Sequence, residues 1–300
     1  MANLPVTLSD AFAELVEAAG PSVVRVSGGR RPSSGLIWSA DGLVLAAERL
    51  LRRDDDITVT LGDRRELQAT LAGRDPSTDL ALLRIPATGL PTLSWREADG
   101  LRVGHLALAL GRPGRTVRAR LGILSAVGEG WQVPGGSRVE RYIEADIEPA
   151  FGISGGPLLD GSGQVIGVNT AGLRREIVLT IPTATVRRIT ETLLAHGRIR
   201  RGYLGVAAQT VPVPSALEQT VGQRAGLLVH AVEPDSPAER AGVMIGDLVL
   251  SIGGRPVHRP DQLLGLLTED RIGATEKVQV VRAGQVRDVQ VTIGDRPAAA

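Results

Sequence analysis

Cysteine is absent from the 300 residues, which excludes disulfides, a thiolate nucleophile and any cysteine-ligated zinc or iron–sulfur site. Only hydroxyl, carboxylate and imidazole groups are left to carry chemistry. Lysine occurs once, at Lys277, and no G-x-x-x-x-G-K-[ST] motif surrounds it, so a Walker-type phosphate loop is excluded. The remaining basic residues are arginines, a bias that reads as GC-rich codon usage. Aromatics are confined to Phe12, Trp38, Trp95, Trp131, Tyr142, Phe151 and Tyr203. They are too few for a stacking platform on single-stranded nucleic acid, and the core must be built from Val, Leu, Ile and Ala. Neither charge sign dominates: 34 basic against 33 acidic residues leave a formal charge of +1, which argues against nucleic acid as a partner. No apolar run approaches the roughly 20 residues that span a bilayer. The start, Met1 to Leu15, lacks a basic segment followed by an apolar stretch, and so reads as that of a cytoplasmic or already trimmed chain.

What is present is a long series of short apolar or alternating runs, punctuated by Gly, Pro, Asp and Ser, between about residues 23 and 180. Val23–Val26, Gly35–Trp38, Ile57–Leu61, Leu80–Ile85, Leu106–Leu110, Gly122–Ala126 and Gln164–Val168 are the clearest. Many short strands with turn signals between them predict an all-β sandwich or barrel. Two helices bracket this region. Asp10–Ala19 carries Phe12, Leu15 and Val16 on one face and stops at Gly20-Pro21; Thr183–His196 carries Val186, Ile189, Leu193 and Leu194 and ends at Gly197. The pattern restarts after Arg198-Ile199-Arg200-Arg201. The length suits two domains, placed at 1–198 and 199–296 with a tail at 297–300. The second has strands expected near 204–208, 226–233, 247–252, 277–282 and 286–293, and helices near 236–241 and 260–267, which makes it a small α+β module.

The strongest chemical signal is Phe151-Gly152-Ile153-Ser154-Gly155-Gly156-Pro157. Glycines around a serine permit a sharp turn that exposes the hydroxyl and aims the amides of Gly152 and Ser154 at one spot as an oxyanion hole. The same residues satisfy G-x-S-x-G, but that elbow joins a strand to a helix, whereas Pro157 to Val165 reads as a hairpin. The four histidines, His105, His196, His230 and His258, show no spacing suited to zinc, and no metal or cofactor is expected. Arg52 to Asp56 reads as a solvated turn.

Nearly the whole chain, residues 9 to 293, resembles the HtrA/DegP family. The resemblance rests on Pro21–Val26, Ser34–Ile37, Asp41–Leu45, Gly73–Leu83, Tyr142–Asp146, Ser154–Leu158, Ile181-Pro182 and Arg200–Val206. It implies a mainly β fold, a trypsin-like double β-barrel followed by an α+β PDZ domain. It also implies a homotrimer assembled through the N-terminal region and export to the periplasm. Residue by residue, the family's catalytic aspartate falls on Asp79 and its serine on Ser154. Its histidine falls on Arg49, followed by Leu50-Leu51.

Arginine stays protonated and cannot take the serine proton, so the resemblance predicts a pseudoprotease in which Arg49 pairs with Asp79. Two other bases are conceivable: Glu48, adjacent to Arg49 but facing the other way on an extended chain, and His105 with Asp146. An active serine endopeptidase acting through Ser154 is therefore the alternative reading. Arg201–Val206 resembles the carboxylate-binding loop of the family's PDZ domains. Tyr203, Leu204, Gly205, Val206 and Leu264 are the expected peptide-binding residues, with Leu263 and Leu267 as further lining, and unfolded polypeptides or C-terminal peptides are the expected ligands.

Overall fold

In a computed structural model, residues 4–52, 54–133, 137–149, 151–173 and 177–297 are described. The chain divides into two compact units, one formed by Met1–Val133 with Arg138–Ile199 and the other built on Arg200–Ala300. No helix among the described residues is long and apolar enough to cross a membrane.

The first unit opens with α1 (Leu4–Ala19), which starts six residues before the expected Asp10. Pro5 is tolerated in a first turn, where its missing N–H has no helical partner, and nothing between it and Ser9 breaks a helix. Phe12, Leu15 and Val16 pack on the core as expected. Strands β1 (Val23–Ser27), β2 (Ser33–Ser39), β3 (Leu43–Ala47), β4 (Ile57–Thr60), β5 (Glu66–Asp75) and β6 (Leu80–Arg84) close into a barrel in the order β1-β2-β3-β6-β5-β4. Strands β7 (Leu106–Gly111) and β8 (Arg118–Gly128) precede a small ribbon of β9 (Trp131–Gln132) and β10 (Arg138–Val139). With β11 (Tyr142–Ala145), β12 (Pro157–Asp160), β13 (Val165–Thr170) and β14 (Leu179–Pro182) they form a second barrel, β11-β14-β13-β12-β7-β8. Helix α2 (Thr183–His196) has the bounds read from the sequence and ends at Gly197, a left-handed cap whose N–H bonds Leu193 O at 2.8 Å.

The strand sequences follow from where each face goes. Val24, Val26, Val44, Ala46, Ala81 and Leu83 fill the first barrel. Their neighbours Val23, Leu43, Leu45, Leu80 and Leu82 join Leu108, Leu110 and Leu159 of the second barrel and Val186, Ile189 and Leu193 of α2 in a separate core. Because both faces are buried, β3 and β6 read as continuous apolar runs rather than alternating ones. Each fully buried Leu, Val or Ile side chain contributes about 1.5–3 kcal/mol relative to exposure, so this double layer fixes the register between the barrels.

In the second unit, β15 (Gly202–Tyr203) leads to β16 (Val206–Pro212), α3 (Ser215–Val221), β17 (Ala225–Val232), α4 (Pro237–Arg240), β18 (Leu248–Ile252) and β19 (Arg255–Pro256). Helix α5 (Pro260–Leu266) and strands β20 (Thr275–Arg282), β21 (Gln285–Thr292) and β22 (Gly294–Asp295) complete it. The sheet runs β16-β17-β18-β20-β21, with β19 beside β18 and β22 paired to β15. Helix α3 was not expected, since only Leu217 and Val221 of its seven residues pack on the sheet, too few to show a helical period. Strand β16 begins at Val206 rather than Leu204, because Leu204 and Gly205 bond to the segment Glu233–Ala238 instead of to the sheet.

Candidate active site and peptide groove

Strand register brings Arg49 to Asp79. The β3–β6 ladder pairs Ala47 with Leu80, so the single 3-10 turn Glu48–Leu50 starts beside Asp79, and Glu48 N donates to Asp79 O at 3.0 Å. The preceding turn is built by Asp75, whose buried carboxylate accepts from Ser77 N, Ser77 Oγ and Thr78 Oγ1 at 2.6–3.1 Å. Asp79 itself has φ of 58°, a left-handed conformation that aspartate tolerates better than most residues.

The Asp79 side chain is 3% exposed and fully bonded. Oδ1 accepts from Arg49 N at 2.9 Å, and Oδ2 accepts from Arg49 Nε at 3.0 Å and from Thr170 Oγ1 at 2.5 Å. The guanidinium continues past Asp79, and its Nη2 donates to Ser154 Oγ at 2.8 Å. Ala171 N donates to the same oxygen at 3.2 Å. Both lone pairs of the Ser154 hydroxyl are thus engaged as acceptors, one by a cation. A nucleophilic serine needs the opposite arrangement, an acceptor for its own proton.

Ser154 is held by the turn Phe151–Gly156. Gly155 has φ of +85°, and a β-carbon there would stand 2.1 Å from Ser34 O, so this position requires glycine. Gly155 N bonds Asn169 O at 2.9 Å and Gly156 N bonds Ile153 O at 3.0 Å. The carbonyl of Gly152 is fixed by Ser34 Oγ at 2.5 Å, which in turn accepts from Arg112 N at 2.6 Å. Among the described residues the N–H groups of Gly152 and Ser154 have no acceptor. As the sequence suggested, β12 and β13 after the serine form a hairpin, not the helix of a G-x-S-x-G elbow.

Neither conceivable alternative base touches Ser154. Glu48 bonds Arg74 at 3.1 Å; burial pushes its carboxyl above the ordinary value of 4.5, while Arg74 opposes the shift. His105 is bonded by Arg102 N and Nε at 3.4 Å each. Arg53 of the expected Arg52–Asp56 turn lies outside the described residues.

Sequence reasoning missed Thr170, Ala171 and Gly172, which close the site at the end of β13. Gly172 N donates to Thr170 Oγ1 at 2.9 Å. A β-carbon on Gly172 would lie 2.6 Å from Arg49 Nε and 2.7 Å from Asp79 Oδ2. The available signal was a polar Asn169-Thr170 pair ending an apolar strand immediately before Ala171-Gly172.

In the second unit Tyr203, Leu204 and Gly205 lead into Val206 at the start of β16, which among the described residues pairs with β17 alone and lies next to α5. Gly205, at φ of +79°, approaches Ser236 so closely that a β-carbon would stand 2.2 Å from Ser236 Cβ. Ala238 N bonds Leu204 O and Glu233 N bonds Gly205 O, both at 2.8 Å. The Tyr203 hydroxyl donates to Glu233; burial and that carboxylate push its pKa up to about 12. Leu264 of α5 is 40% exposed, while Leu263 and Leu267 belong, with Leu204, to the core of this unit.

Two six-stranded barrels, with Ser154 bonded to Arg49 of the first, define a trypsin-like serine-protease fold followed by a small α+β domain with an open strand edge. Residues 33–168 match the trypsin-like peptidase domain family, and residues 202–293 match the PDZ domain family. The chain belongs to the HtrA/DegP family of trypsin-like serine proteases with a PDZ domain. It is 37% identical over 297 residues, 95% of its length, to a probable periplasmic serine endoprotease DegP-like of Ectopseudomonas mendocina (strain ymp). It spans 62% of that relative's length. Among solved structures it resembles the serine endoprotease from Yersinia pestis, with 30% identity, a TM-score of 0.74, and 95% of this chain and 98% of that one covered. It also resembles the HtrA-type protease AlgW with tripeptide, with 32% identity, a TM-score of 0.71, and 96% and 98% covered. The relatives are named as periplasmic, and nothing in these similarities supports the cytoplasmic expectation.

Proposed function

We propose that this protein binds polypeptide without cleaving it, as a pseudoprotease in which Arg49 stands at the general-base position. The observation that carries this reading is the hydrogen bond from Arg49 Nη2 to Ser154 Oγ at 2.8 Å. In an active unit the group at that place accepts the serine proton and later returns it to the leaving amine. A guanidinium with a pKa above about 12 does neither near neutral pH. Asp79, Thr170 and Arg49 instead form a closed set of hydrogen bonds that stabilises the site as structure.

In this reading residues 1–198 are the protease-like domain and 199–296 the PDZ domain. Peptide would add to the edge of β16 with its terminal carboxylate over Tyr203–Val206 and an apolar side chain against Leu264. The similar AlgW structures carry a tripeptide or a decapeptide, and the relatives' names support an extracytoplasmic location.

A second reading, an active endopeptidase, draws support from the relatives' names as serine endoproteases, from the retained Ser154 and Asp79, and from the Gly152 and Ser154 amides, which have no acceptor among the described residues. A fluorophosphonate probe, which phosphonylates only an activated serine with loss of fluoride, separates the two. The pseudoprotease reading expects no labelling of the wild type and labelling of Arg49→His; wild-type labelling that disappears in Ser154→Ala would favour the second.

A further inference from the structure

A polar cavity of about 350 Å³ is lined by residues of the first barrel and of the segment that follows β7, and none of the Ser154 turn is among them. Its lining includes Arg25 of β1, Arg64 of the β4–β5 turn, and Arg112 and Arg115 of the segment after β7. Glu66 is the only carboxylate among its lining residues. The ladders place Arg25 opposite Thr60, and Thr60 opposite Glu66, so these three residues form one row across β1, β4 and β5.

This chain pairs its arginines readily: Arg49, Arg74, Arg96, Arg188 and Arg282 each sit within 3.1 Å of a carboxylate. The four around this cavity form no ion pair among the described residues. Arg112 is 8% exposed, yet its guanidinium donates only to carbonyls, those of Val23 at 2.6 Å, Gly20 at 2.8 Å and Arg115 at 3.1 Å. Burial pulls its pKa below the ordinary arginine value, with no carboxylate acting against that shift. Arg25 adds a buried Nε that has no hydrogen-bond partner among the described residues. Arg64 is held in the turn at φ of 75°, while its neighbour Arg65 is turned to Asp63, with Nε 2.8 Å from Oδ2. A buried cation such as Arg112 is ordinarily paired, and the half-buried Arg25 with the exposed Arg64 and Arg115 add like charge around the same cavity, which an anion among them would relieve.

We propose that this cavity is a binding site for a phosphate-type oxyanion, held by Arg25, Arg64, Arg112 and Arg115. The planar forks of arginine match tetrahedral oxyanions, and a dianion neutralises the excess positive charge that Glu66 alone leaves. None of these four side chains bonds Ser154 itself, although Arg112 N donates to the Ser34 hydroxyl that holds the Gly152 carbonyl.

The test is thermal unfolding of the full chain in inorganic phosphate against sodium chloride at matched ionic strength, with glycerol phosphate as a parallel arm. Saturating phosphate should raise the first-unit transition by about 3 °C, the shift expected at roughly ten times the dissociation constant. The rise should vanish in Arg64→Glu and Arg115→Glu and persist in Arg65→Gln, whose arginine is already paired. Arg64→Glu should also raise the midpoint without ligand, because it supplies the missing counterion. A rise with glycerol phosphate identifies a phosphate ester as an acceptable source; a rise with inorganic phosphate alone identifies the free ion. An equal rise in matched chloride, no rise at all, or a phosphate rise unchanged in both glutamate variants would overturn the proposal.

Discussion

Arg49 Nη2 and Ser154 Oγ are 2.8 Å apart, and the donor is the arginine. The hydroxyl that the fold presents for nucleophilic attack is therefore held as an acceptor by a permanent cation. The same guanidinium is anchored through Nε to Asp79, which is buried and has no other cation bonded to it among the described residues. Arg49 thus donates in both directions, to the Ser154 hydroxyl and to the Asp79 carboxylate, and offers neither partner an acceptor for a proton.

That chain makes Arg49 and Asp79 energetically coupled. Arg49→Met would leave the Asp79 carboxylate with the Arg49 position's backbone N–H and Thr170 but no charge partner. Since the arginine side chain is 38% exposed, water screens part of the pair, and a loss of about 1–3 kcal/mol is expected. Asp79→Asn in the Arg49→Met background should recover a large part of it. Urea unfolding of the wild type, both single variants and the double gives the coupling directly; additive single effects would contradict the pairing.

Peptide capture by the second unit should depend on the Gly205 turn and on a free carboxylate. Gly205→Ala places a β-carbon 2.2 Å from Ser236 Cβ at a backbone angle that disfavours alanine, so it should weaken binding at least tenfold and lower stability. Fluorescence anisotropy with a labelled apolar peptide, with and without C-terminal amidation, reads the carboxylate separately. Equal binding of the amidated and free peptides would remove the carboxylate from the account.

Acid should loosen the second barrel. Burial is the largest influence on Asp160 and pushes its carboxyl up, but hydrogen bonds from Arg96, Ser162 and Gln164 together hold it below the ordinary 3.8. Glu140 likewise lies below 4.5, with burial opposed by Arg188 and Thr185. A carboxyl whose folded pKa is depressed stabilises above its unfolded value and loses that contribution as pH falls through the folded one. Urea midpoints should therefore drop from about pH 4.5 downward, and Asp160→Asn should flatten the drop. An unchanged pH profile in that variant would contradict the assignment.

Much of this architecture was legible in the sequence because its strands are short and punctuated. Helix α2 was read to the residue, since its apolar spacing and Gly197 mark both face and end. Strands with both faces buried, such as Leu80–Arg84, were also visible as apolar runs. The approach of Arg49, Asp79 and Ser154 was legible only through the family resemblance, because the register that joins residues 30 and 105 positions apart is a tertiary property. Thr170 to Gly172 stayed hidden for the same reason: a threonine ending a strand has no local mark that it will cap a buried carboxylate. Helix α3 was missed because so short a helix carries too few apolar positions to show a period.

The most direct test of the central claim is cleavage of fluorogenic casein by the wild type, Ser154→Ala and Arg49→His, side by side from about pH 6 to about pH 9. Loss of the histidine from such a unit costs on the order of a million-fold in turnover, so the wild type should be indistinguishable from Ser154→Ala. Arg49→His should restore measurable cleavage that rises as the imidazole deprotonates. Wild-type cleavage abolished by Ser154→Ala would contradict the account and require a base other than the residue bonded to Ser154.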